Sequence, residues 1–134
     1  MYLAAPVNRE IYQPRIEVGE GTATIEVDVS ERWHHAAGGV HGSVYFKVLD
    51  DAAFFAANSL ERDLFVLTTS FTVYLTRPVV SGTMRGVGKV VDRTRSQFIA
   101  EAVVQDSDGR EVGRGSGVFV RGKQRLKEID SYRP

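Results

Sequence analysis

Histidines at positions 34, 35 and 41, a serine at 43 and adjacent carboxylates at 50 and 51 fall in one stretch, HHAAGGVHGSVYFKVLDDAAFFAANS, from His34 to Ser59. Imidazoles and carboxylates can move protons, attack a carbonyl or activate water, so hydrolytic or acid–base chemistry belongs here if anywhere. The two acids are not equivalent, because helix neighbours fall three and four residues away. Asp51 has Lys47 one turn back and reads as a partly exposed ion pair. Asp50 has Phe46, Ala53, Phe54 and Ala57 around it, with Lys47 its only polar neighbour. A carboxylate in apolar company is costly unless it is used or well hydrogen-bonded, which makes Asp50 the acid to explain.

One helix must carry these groups. At about 100° per residue, Val44, Tyr45, Val48, Leu49, Ala52, Ala53, Phe55 and Ala56 form a broad apolar arc over Gly42 to Ser59. Only a narrow polar stripe remains, formed by Ser43, Lys47, Asp50, Asp51 and Asn58 with Phe54 in its midst. So apolar a helix is expected to be surrounded by other structure. Before it, Gly38, Gly39 and Gly42 let the backbone turn tightly and let another group come close. The amides near Gly42 then lie at the positive end of the helix dipole, where an anion or an oxygen becoming one is favoured.

The spacing His35-x-x-Gly38-x-x-His41-Gly42-Ser43, with Asp50 nine residues after His41 and then Ala52, resembles the signature of hotdog-fold acyl-CoA thioesterases. It is most similar to the phenylacetate-pathway type, whose usual form is Asn-x-x-Gly-x-x-His-Gly-Gly followed by that Asp. The run TTSFTVYLTRP, Thr68 to Pro78, also resembles the strand after the helix in that family, and the likeness spans about residues 15–121. His35 and Ser43 depart from it, standing where the family has Asn and a second Gly. The resemblance implies hydrolysis of an acyl-CoA thioester, with the Gly42 amide polarising the carbonyl and Asp50 attacking it or activating water. It also implies that Thr68 orients the water or carboxylate; a plain β-strand threonine is the alternative for that residue. His41 is a donor to loop or substrate, or a structural histidine. His35 replaces the family Asn as a donor, adds a base, or rotates away. Gly38 and Ser43 complete the substrate loop, and Arg77, Arg93 and Arg95 are candidates to hold the CoA phosphates. His34 is read as solvent-exposed.

Eight helical residues separate Gly42 from Asp50, about 12 Å at 1.5 Å per residue. Both cannot touch one carbonyl within a single chain, so if both act the site is shared across at least a two-fold dimer. The families it resembles share the site in this way, commonly within a tetramer. A metal is not expected, because the histidines lack a one-turn spacing and no other ligand motif is present. No cofactor motif occurs either: there is no Gly-x-Gly-x-x-Gly after a strand and no Gly-Lys-Ser/Thr. The motifs of dehydratases and hydratases of the same fold are absent too. The alternative is a hotdog module that binds acyl-CoA without turnover, which the departures at His35 and Ser43 keep open.

The rest of the 134 residues supplies the frame. With 17 basic and 17 acidic residues the net charge is zero, which argues against nucleic acid or an anionic membrane as the main partner. There is no cysteine, which excludes thiol nucleophiles and fits a reducing cytoplasm. No signal peptide and no membrane-length apolar run is seen. Arg15 to Val18 and Thr22 to Val29 read as a hairpin across Gly19-Glu20-Gly21. Leu64 to Thr76 reads as a strand with Leu67, Phe71, Val73 and Leu75 on one face and Thr68, Ser70, Thr72, Tyr74 and Thr76 on the other. Met84 to Val91, Gln97 to Gln105 and Glu111 to Arg121 follow as strands, the last with glycines at 113, 115 and 117 that imply close backbone approach. The charged tail, 122–134, is expected to be loosely ordered, with room for a short helix. The whole is expected to be one α+β domain, a hotdog fold in which an antiparallel curved sheet of five to six strands wraps one long central helix.

Overall fold

The computed structural model describes residues 1–134. One helix, α1 (Gly42–Ser59), lies against an antiparallel sheet of β1 (Arg15–Gly19), β2 (Thr22–Asp28), β3 (Leu64–Leu75), β4 (Thr83–Arg93), β5 (Gln97–Gln105) and β6 (Glu111–Arg125). Their order across the sheet is β1-β2-β4-β5-β6-β3, so β1 and β3 are the edges. The helix sits over the central strands, and the core is Ile25, Val27, Val48, Leu49, Met84, Phe98, Val104 and Phe119 with the helix alanines. Small residues let the layers close. A Cβ on Gly88 of β4 would run into the Ala52 carbonyl of α1, and one on Gly86 would lie 3.0 Å from the Val48 carbonyl. The expected close approach at the β6 glycines also holds, since Phe71 of β3 lies across Gly115 and Gly117.

One expectation needs correction, and two further features go beyond what was expected. The strand at 111–121 does not stop at Arg121; β6 continues to Arg125, pairing Arg125 with Leu64, and a short 3-10 turn, Leu126–Glu128, buries Leu126. The ion pair Arg125–Asp63 satisfies one of the charges that made this segment look like tail, and Arg121–Glu61 holds the strand just before it. The segment before residue 15 is also part of the fold: it forms a π-helical turn, Asn8–Tyr12, and buries Tyr2 against α1. Finally, Asn58, on the polar stripe of α1, is buried. It is 8% exposed, donates to the Glu61 and Leu64 carbonyls, accepts from the Val66 N–H, and so joins the end of α1 to β3.

The strand β3 does not keep one alternation along its length. Thr68 faces Phe119 of β6 and Ser70 faces Val118, so Thr69 is an extra residue, a bulge that exchanges the two faces. Before it, Val66 is buried; after it, Phe71 and Val73 pack on the core while Leu67 is half exposed. Thr68 therefore shares the Val66 face. This side faces the helix, contrary to a reading of the strand as one continuous alternation.

Candidate active site

The chemistry-bearing residues gather at two places on α1, one at its start and one at its middle. At the start, the loop from His34 closes on itself: His34 and Val40 form an isolated β-bridge, and the His41 N–H donates to the Trp33 carbonyl. Gly38 takes a φ of 86°, which glycine adopts without the strain a side chain would bring. His41 is the helix cap. Its Nδ1 accepts the Ser43 N–H at 3.0 Å and lies 2.8 Å from the Ser43 hydroxyl, so Nδ1 is the acceptor and Nε2 carries the proton. The Val44 N–H goes to the His41 carbonyl, whereas the Gly42 N–H has no protein acceptor. That free donor points out of the positive end of the helix. A Cβ here would lie 3.0 Å from Leu75 Cδ1, so glycine also suits the packing of β3 over this turn.

The other histidines do different work. His35 is exposed, its Nδ1 accepting the Ala37 N–H at 3.1 Å and its ring folded over Gly39. His34 is not simply solvent-exposed: it is half-buried, and Nε2 donates to the Val80 carbonyl at 2.8 Å. That bond ties the loop to the segment after β3.

At the middle of α1, the Thr68 hydroxyl donates to Asp50 Oδ1 at 3.0 Å. The bulge at Thr69 is what makes this contact possible. Asp50 opens into a cavity of about 330 Å³ lined by Phe54, Phe55, Phe65, Leu67 and Tyr2. Burial in this apolar setting pushes its carboxyl up to about 6; the Thr68 hydrogen bond and Lys47 pull the other way, and the Asp51 charge adds to the rise. Asp51, by contrast, is bound to Lys47 as expected, but it also receives the Tyr2 hydroxyl at 2.7 Å and is largely covered. Of the two neighbouring carboxylates, Asp51 is thus paired with a cation and a phenol, while Asp50 is left in an apolar setting with its proton affinity raised.

Within one chain the two places stay apart. The Gly42 amide and the Asp50 carboxylate are about 12 Å apart along the helix axis. Arg77 follows β3 at the Gly42 end, where its carbonyl accepts the Tyr45 hydroxyl at 2.8 Å. Arg93 closes a row across the sheet, Arg93–Phe98–Phe119–Thr68, about 14 Å from Thr68 at roughly 4.8 Å per strand. Arg95 lies in the adjoining turn, its carbonyl held by Arg121. All three side chains are exposed and none has an acidic partner. Tyr2 and Lys47 beside Asp50 were not among the sequence candidates for the site; Lys47 was read as the partner of Asp51 and the one polar neighbour of Asp50, and Tyr2 reaches Asp51 from 49 residues away. No three histidines or acids gather to hold a metal ion, and no helix is long and apolar enough to cross a membrane.

Comparison with known proteins places this arrangement. The family model of the thioesterase superfamily matches residues 37–113, more than half of the chain, from the glycine loop to β6. A protein of Saccharolobus solfataricus that carries the name of an esterase is 23% identical over 114 residues, covering 84% of this chain and 81% of its own. Among solved structures, the PaaI protein from the phenylacetic acid degradation operon of E. coli superposes with a TM-score of 0.84 at 19% identity, over 93% of this chain and 90% of that one. A thioesterase from Haemophilus influenzae gives 0.81 at 13% identity, over 98% and 90%. At these identities the superpositions establish the shared hotdog architecture, a curved six-stranded antiparallel sheet around one long helix.

Proposed function

Because this chain belongs to the thioesterase superfamily, and is a hydrolase of the thioesterase kind by that membership, we propose that it cleaves the thioester bond of an acyl-CoA to the free acid and CoA. Asp50 carries this reading: a carboxylate held by Thr68 at the mouth of an aromatic cavity, its proton affinity raised toward neutrality. In the proposed reaction the Gly42 N–H of one subunit donates to the thioester oxygen and stabilises the charge that develops there. The partner subunit's Asp50 attacks the carbonyl carbon or takes a proton from the attacking water, Thr68 fixing the orientation of its carboxylate. The carbonyl then reforms and the C–S bond breaks. With water as the attacking group, the acid is released and the proton taken by Asp50 passes to the CoA thiolate or the medium; with Asp50 as the attacking group, the thiolate takes a proton from the medium and a water then cleaves the acyl–Asp50 anhydride, releasing the acid and restoring the carboxylate.

Sharing the site across a two-fold axis is supported by the edge of the sheet. β3 is twelve residues long, its outer backbone unpaired, with Leu67, Tyr74 and Leu75 about half exposed or more. Long apolar edges of this kind are ordinarily covered, and a second copy of β3 covers it by continuing the sheet. Phe46, 43% exposed on the Gly42 half of α1, extends the same apolar surface. We take the oligomer to be a dimer or a pair of dimers. Arg77, Arg93 and Arg95, all without acidic partners, are the cations we propose for the CoA phosphates. The cysteine-free composition suits a reducing cytoplasm.

Thiol release from a panel of acyl-CoAs, wild type beside Asp50→Asn, tests this function. Turnover in the wild type that falls by roughly 100- to 10,000-fold in the variant supports it. Binding of acyl-CoA with no turnover from either protein would instead establish a non-catalytic acyl-CoA module, in which His35 and Ser43 have replaced the catalytic loop.

A further inference from the structure

Two cavities meet at one partition. The smaller, about 330 Å³, holds Asp50 and Thr68 at its mouth and is lined by Phe54 and Phe65. The larger, about 730 Å³, runs between β1, the end of α1 and the segment around Leu126. Met1, Tyr2 and Phe55 line both, and the packed rings of Tyr2 and Phe55, with Met1 beside them, stand between the two spaces. The rings lie edge to face at 4.8 Å, a favourable aromatic geometry.

Tyr2 is held from every side. Its hydroxyl donates to Asp51 at 2.7 Å, its carbonyl accepts Asn8 Nδ2 at 2.8 Å, and Lys47 sits 5.1 Å over its ring while also binding Asp51. The same ammonium lies 5.4 Å from the ring of Tyr12, which anchors the far end of the segment. Burial first, and then the Asp51 charge, push the Tyr2 phenol well above its ordinary value, so it stays a donor throughout the working pH range. Lys47 and Asp51 also act on the charge of Asp50, but the Tyr2 ring itself makes no hydrogen bond to it. Together these contacts fix one ring at the end of the cavity that Asp50 faces.

We propose that Tyr2 is the specificity-determining residue of the acyl pocket: it closes the cavity beside Asp50 and restricts the acyl group to a compact one, about the size of a single aromatic ring. This rests on the thioesterase function proposed above. The volumes bear on it in one respect: the space beside Asp50, about 330 Å³, is less than half of the about 730 Å³ that lies beyond the partition. The lining supports it, because Phe54, Phe65, Phe55 and Tyr2 offer ring edges and faces to another ring. Removal of the Tyr2 ring joins the two cavities and gives a long alkyl chain somewhere to lie.

The test is kcat/KM for benzoyl-, phenylacetyl-, decanoyl- and dodecanoyl-CoA with the wild type, Tyr2→Phe and Tyr2→Ala. The wild type is expected to favour the single-ring substrates. Tyr2→Ala is expected to raise the dodecanoyl-to-phenylacetyl ratio by about tenfold or more, mainly through the KM of the long chain, and Tyr2→Phe by less, since the ring remains. An active Tyr2→Ala protein with the wild-type ratio, or a wild type that already prefers dodecanoyl-CoA, overturns the assignment of Tyr2 and leaves the thioesterase function standing. Absence of wild-type turnover on the whole panel overturns the function itself, and the pocket assignment with it. Should Tyr2→Ala fail to fold, Phe55→Leu thins the same partition from the helix side, and an unchanged ratio in that variant overturns the proposal equally.

Discussion

Replacement of Asp50 by asparagine is expected to stabilise the protein while disabling it, and to do so only above a definable pH. In the folded chain the carboxyl titrates at about 6 against 3.8 for the ordinary group, chiefly because burial penalises its charge. A rise of about two pH units corresponds to about 3 kcal/mol, which partial exposure to water reduces to about 1–2 kcal/mol. The sign follows from proton counting. Between pH 3.8 and about 6 the folded state holds a proton that the unfolded state has released, so wild-type stability falls as pH rises through this window. The contribution of Asp50 is therefore fully present below about pH 4 and lost above about pH 6. Asparagine is neutral throughout and can still accept the Thr68 hydroxyl. Relative to wild type, Asp50→Asn should gain roughly 3–8 °C in Tm at pH 8 and almost nothing at pH 4. Thermal unfolding at both pH values and one fixed protein concentration checks this, the concentration being held because assembly also shifts Tm. An equal difference at both pH values, or a variant less stable than wild type at pH 8, would refute the account of Asp50 as a desolvated, functionally retained charge.

The same titration should appear in kinetics, with kcat/KM rising through an acidic limb near pH 6 as Asp50 loses its proton. Thr68→Ala removes the one hydrogen bond that favours the ionised form, so it should lower kcat about tenfold and move that limb to higher pH; a limb that stays put would mean Thr68 does not act on Asp50. Gly88→Ala forces a methyl against the Ala52 carbonyl and should cost about 3 kcal/mol or more, visible as a Tm loss of roughly 10 °C. Sedimentation should give a dimer or larger, and Leu67→Lys with Leu75→Lys on the exposed β3 edge should weaken assembly and activity together. A monomer that retains full turnover would contradict the shared site.

The parts legible in the sequence are those governed by local spacing. The helix from Gly42 to Ser59 matches its apolar arc and glycine loop, and Asp50 stood out because helical neighbours are set by distance along the chain. The β5 bounds likewise match the reading from polar turn to polar turn. What stayed hidden is what register and remote pairing decide. The contact of Thr68 with Asp50 depends on one inserted residue, Thr69, and an alternation of side chains does not reveal where a strand bulges. Tyr2 sits in an apolar run too short to read, and its partner Asp51 is far along the chain. The 122–125 segment looked like tail because its charges were counted as solvated, whereas Arg125 answers Asp63 across a strand pair.

The division of the site between two chains is tested most directly by mixing two inactive variants. Asp50→Asn removes the carboxylate. Gly42→Pro removes the free amide: proline is tolerated at the first helical position, and His41 already has the extended backbone, φ −63° and ψ 143°, that a following proline demands. A mixed dimer contains one site with neither group and one with both, the amide coming from one chain and the carboxylate from the other. With random exchange of subunits, the account predicts recovery of about one quarter of wild-type activity from two proteins that are each inactive alone. If the mixture, shown to contain mixed dimers, remains as inactive as its components, Gly42 and Asp50 do not work across the interface and the shared site is wrong.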